Sequence, residues 1–98
     1  MASPRLLQII FRYPGGLGEP DPDKLRALIE KHCEEWLRWN FYVWFVWTAE
    51  SADEWFRILR AALPGVHFMI NRIDQVERHG WADKWVWEWL DQQKTKKA

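Results

Sequence analysis

Nine tryptophans in 98 residues set the main constraint on this chain, and seven of them fall in two short stretches: Trp36, Trp39, Trp44 and Trp47, then Trp85, Trp87 and Trp89. Each indole can bury roughly 150 to 250 Å² and usually needs a partner for its ring N–H. A chain of this length forms one domain around one core, and such a core does not hold nine indoles. Some are therefore expected to meet a partner. Trp44, Trp47, Trp85, Trp87 and Trp89 are the interface candidates, and a homodimer is the expected assembly.

Fourteen basic and fourteen acidic side chains cancel. Non-specific nucleic-acid binding draws on a strongly positive field, so this balance does not favour it. Cys33 is the only cysteine, which excludes an intrachain disulfide and fits a reducing, cytoplasmic setting. The apolar run before Arg12 is too short for a signal peptide or a membrane span, and no membrane association is expected.

Residues 6–13 (LLQIIFRY) read as a strand that stops at Pro14-Gly15. One side is wholly apolar (Leu7, Ile9, Phe11, Tyr13) and the other carries Gln8 and Arg12. Asp21, Pro22 and Asp23 supply an N-cap, a first-turn proline and an acid matched to the helix dipole. The helix they open has a face of Leu25, Leu28, Ile29, His32, Trp36 and Leu37 at helical spacing. Residues 39–48 (WNFYVWFVWT) lack both helical spacing and a polar face, which predicts strand buried on both sides, with Asn40 placed to turn the chain. Whether this segment is one bent strand or two is open.

Ser51-Ala52-Asp53-Glu54 is a capping box, and it opens a helix with Trp55, Phe56, Leu59, Ala62 and Leu63 on its apolar face. Pro64-Gly65 ends that helix. Residues 66–73 form a strand with Val66, Phe68 and Ile70 on one side and His67 and Asn71 on the other. Residues 83–92 read better as a helix than as a strand, with Trp85, Val86, Trp89 and Leu90 docked on the domain and Trp87 turned toward a second chain. Strand, helix, strand, helix, strand implies right-handed crossovers with both helices on one face of a small sheet. The predicted class is α+β, a ferredoxin-like sandwich with an added C-terminal helix, as a single domain over residues 1–98 whose residues 93–98 form a disordered tail.

In this order of elements the chain resembles the small ferredoxin-like subunit of the CRISPR spacer-acquisition complex and its stand-alone SinR-like relatives. The likeness rests on the first strand running into a proline-glycine loop (residues 9–15), on Trp36 and Trp44 around the middle strand segment, on the capping box, and on WVWEWL at 85–90. It implies the fold and a dimer with stacked sheets. Members that cut nucleic acid carry a metal-holding aspartate at the end of the first strand, where this chain has Arg12-Tyr13. An arginine there would repel a hard divalent cation, so the expectation leans away from an enzyme.

Other chemistry has a plainer reading. His32, Cys33 and Glu35 are ligand types, but only His32 and Glu35 share a helical side, one short of a metal's usual minimum. No metal or cofactor is expected. Cys33 as a nucleophile would need a base from His67 or His79. Gly15-Gly16-Leu17-Gly18 lacks the spacing of a phosphate loop and is followed by acids. Gln8, Arg12, His67 and Asn71 should converge on the open sheet face and, with Arg72, form the candidate binding strip. The leading functional reading is a non-catalytic dimeric interaction or scaffold protein. A nucleic-acid-binding module using the open sheet face comes second, and a metal-dependent endonuclease third.

Overall fold

The computed structural model describes residues 3–15, 20–75 and 77–95, with the side chains of Lys94 and Thr95 outside the description. The elements are β1 (Arg5–Arg12), α1 (Pro22–His32), β2 (Glu35–Arg38), β3 (Val43–Thr48), α2 (Ala52–Ala62), β4 (His67–Arg72) and α3 (Lys84–Thr95). The strands form one antiparallel sheet in the order β2-β3-β1-β4. This is the ferredoxin-like arrangement, extended by a third helix.

Local chemistry explains the helix starts. Asp21 accepts a hydrogen bond from the Asp23 amide at 2.9 Å, with Pro22 in the first turn. Ser51 Oγ accepts from the Glu54 amide at 3.1 Å. After α2 the chain turns at Gly65, whose φ of 83° is open to glycine at little steric cost.

The helical spacing that ran on to Trp36 and Leu37 is overruled, because α1 stops at His32 and both residues belong to β2. Cys33 is extended, the Glu34 amide donates to the Trp47 carbonyl at 2.8 Å, and Thr48 Oγ1 donates to the His32 carbonyl at 2.7 Å. These bonds to β3 satisfy groups at the helix end that further helical turns would have used. Residues 39–48 likewise divide. Asn40 Oδ1 accepts from the amides of Tyr42 and Val43, an Asx turn that joins β2 to β3.

Two cores, rather than the expected one, flank the sheet. On the first face Leu7, Ile9, Phe11, Trp44 and Val46 pack with Leu25 and Ile29 of α1 and Trp55 and Leu59 of α2. On the second, Leu6, Leu37, Phe45 and Trp47 pack under Val86 and Leu90 of α3. The double burial expected for β3 thus has a specific cause, since α3 covers the face that two stacked subunits would have shared. The helix also runs past the expected start of a disordered tail and buries Gln93. Residues 96–98 lie outside the described residues.

Candidate functional site

The second sheet face is where polar and aromatic groups gather. Register pairs Gln8 with Asn71 and Arg12 with His67 across β1 and β4, so all four side chains share the α3 side of the sheet. Arg12 Nη1 lies 3.4 Å from His67 Nδ1. Arg72 does not join them. It pairs with Leu7 and therefore faces the α1–α2 side.

The interface candidates separate by burial. Trp44 and Trp47 are 1% and 8% exposed and belong to the two cores, where no partner reaches them. Within α3 the expected orientation is reversed for two indoles: Trp85 is 50% exposed, while Trp87 and Trp89 pack at the edge of the second core. Trp87 is held by the preceding loop. Arg78 lies over its ring at 5.1 Å, and a Cβ on Gly80 would meet the same ring at 3.4 Å. Arg78 also bonds to Gln75 and Asp91, and Gln75 Nε2 donates to the Leu90 carbonyl at 2.8 Å. This network ties Gln75 and Arg78 to α3.

Between that loop, α3 and the sheet lies a cleft of about 390 Å³, with Phe45, Ile73 and Leu90 among its apolar lining, Trp39 and Trp87 as aromatic walls, and Gln8 as a polar group. Trp81 stands at its rim, 100% exposed. A second, more open groove runs between β2 and α3 past Trp36, Arg38, Trp85 and Trp89. Trp39 and Trp81 line the cleft but are not among the interface candidates that the sequence points to. Trp81 did carry a signal, as a lone indole beside Gly80 with no periodic apolar neighbours to recruit it into a core.

The His32–Cys33 region forms a different constellation. His32 Nδ1 lies 3.2 Å from Glu50 Oε1 and 3.0 Å from Oε2; the geometry places the hydrogen bond on Oε1. Its ring meets Trp55 edge-on at 5.9 Å. A carboxylate-anchored imidazole is half of a catalytic pair, and the neighbouring groups do not complete it. Thr48 Oγ1 is saturated, donating to His32 and accepting from the Glu50 amide and the Trp55 indole. Burial, with added repulsion from Glu30, Glu34 and Glu50, pushes the Cys33 thiol from 9.0 up to about 12. At pH 8 the native thiol should alkylate with iodoacetamide on the order of a hundredfold or more slower than in the urea-unfolded chain, since the thiolate is the reacting species. Equal rates in the two states would show an accessible, unshifted thiol.

Among the described residues no group of three His, Cys, Asp or Glu side chains is placed to hold a metal ion, and no helix is long and apolar enough to cross a membrane. Of the glycine-rich loop, Gly16, Leu17 and Gly18 lie outside the described residues. No family model, curated protein or solved structure matches the chain.

Proposed function

We propose that this chain is a small non-catalytic interaction domain that works as a homodimer. One observation carries the reading: Trp39, Met69, Trp81 and Trp85 are large apolar side chains left exposed on the α3 side of the sheet. Trp39 and Trp81 share one cleft, and clustered apolar exposure of that kind marks a contact surface, whereas scattered single residues do not. Zero net charge removes long-range repulsion between copies. Kinship with the small subunit of the spacer-acquisition complex belongs to the same proposal and is supported by the common order of elements. Sedimentation equilibrium from 1 to 100 µM tests it, with a dimer expected; an 11.9 kDa species throughout would refute it.

A second reading, single-stranded nucleic acid on the β1–β4 strip, is favoured by Arg12 and His67 standing side by side with Gln8 and Asn71 in the adjoining register. It predicts affinity that falls steeply with salt. Salt-insensitive or absent binding at low ionic strength disposes of it. The metal-dependent nuclease reading has the least support, because the end of β1 presents the Arg12 guanidinium where that chemistry needs a carboxylate.

A further inference from the structure

We infer that two copies of this chain associate by reciprocal insertion of Trp81 into the cleft between the 77–82 segment, α3 and the sheet of the other copy. The inference rests on the self-association proposed above and assigns its contact. Three observations carry it.

First, knob and hole lie on the same surface. Trp81 is wholly exposed at the rim of an apolar cleft of about 390 Å³. A two-fold interface uses one patch twice, so whatever projects from that patch must fit a recess in the same patch. A knob far from its hole would build open chains of molecules. A knob at the rim allows a closed pair.

Second, the cleft suits an indole. Its walls are Trp39, Phe45, Trp87 and Leu90, against which a further ring can pack, and Trp87 is already fixed in place by Arg78 and Gly80. A buried indole also wants an acceptor for its N–H. The side-chain amide of Gln8 lines the cleft and makes no hydrogen bond to another described residue, so its carbonyl oxygen is available to accept one. Asp83, which already accepts the Trp85 indole at 3.2 Å, shows the same pairing nearby.

Third, the charges match. The segment 77–84 carries Glu77 and Asp83 against Arg78 and Lys84, with His79 between them. Two copies meeting there face no net like-charge repulsion.

The test uses the whole chain. Trp81→Ala should keep the wild-type melting temperature, because the side chain is fully exposed in its own domain, and should weaken dimerisation about 30-fold or more, as loss of a central aromatic anchor does. Trp81→Phe keeps a ring but not the N–H and should weaken it about 3- to 10-fold. Gln8→Trp fills the cleft and should also be monomeric. Mixing it with Trp81→Ala restores one knob and one hole, so a heterodimer weaker than wild type should form where neither variant self-associates. If wild type is a dimer and Trp81→Ala dimerises equally well, the inserted-tryptophan contact is wrong and self-association proceeds through another surface. Should Gln8→Trp fail to fold, the Trp81→Ala and Trp81→Phe series still decides. If wild type is a monomer throughout, the proposed function and this contact fail together.

Discussion

Trp55→Ala should lower the free energy of unfolding by about 3 to 5 kcal/mol, a large part of what holds a domain of this size together. Trp55 is fully buried where α2 meets the first sheet face. Truncation removes the packing of the indole and leaves a cavity that the neighbouring Leu59 and Trp44 do not close without moving. It also removes the 3.2 Å hydrogen bond to Thr48 Oγ1, the hydroxyl that links the end of α1 to the start of α2 through the His32 carbonyl and the Glu50 amide. Thr48→Val separates the two contributions. It keeps the shape and removes the hydroxyl, stranding three polar partners at a cost of about 1 to 3 kcal/mol for a buried group left unpaired. Denaturant titration of both variants measures the two effects. A loss below about 1 kcal/mol for Trp55→Ala would mean that the first core is not organised around this residue.

Much of this architecture is legible locally. The Asp21 and Ser51 caps, the Pro64-Gly65 stop and the two-sided character of β1 each follow from a few adjacent residues, because each is decided by backbone chemistry within one turn. The end of α1 is not local. Trp36 and Leu37 continue the helical spacing, and what ends the helix is supplied by Trp47 and Thr48, more than ten residues away. The strip of Gln8, Arg12, His67 and Asn71 was legible from alternation alone, whereas Arg72 was misplaced because it is adjacent in sequence and opposite in parity. The apolar character of both faces of residues 43–48 announced a cover on the second face. That the cover is α3 and not another subunit depends on where the chain places α3 after β4, which sequence spacing does not encode.

Leu90→Asp should detach α3 while leaving the first core folded. Leu90 is buried against the second sheet face with Val86, above Leu6, Leu37, Phe45 and Trp47. Keeping an ionised aspartate there would cost several kcal/mol, and the helix has a cheaper alternative. Swinging α3 away exposes the second core but leaves α1, α2 and the contacts of the first face intact, since no member of the first cluster belongs to α3. The measured penalty is therefore capped at the docking free energy of α3, and the loss shows as local opening, not global unfolding. Hydrogen exchange reads this directly. Amides of α3 should lose protection by about 100-fold or more, corresponding to roughly 3 kcal/mol, while the β1–β3 ladder stays protected. A newly bared face of Leu6, Phe45 and Trp47 should also drive association, which separates this variant from Trp81→Ala. Uniform loss of protection across β1, β3 and α3 would show instead that the two cores fold as one cooperative unit, with α3 as a structural third layer and not a lid on a finished sandwich.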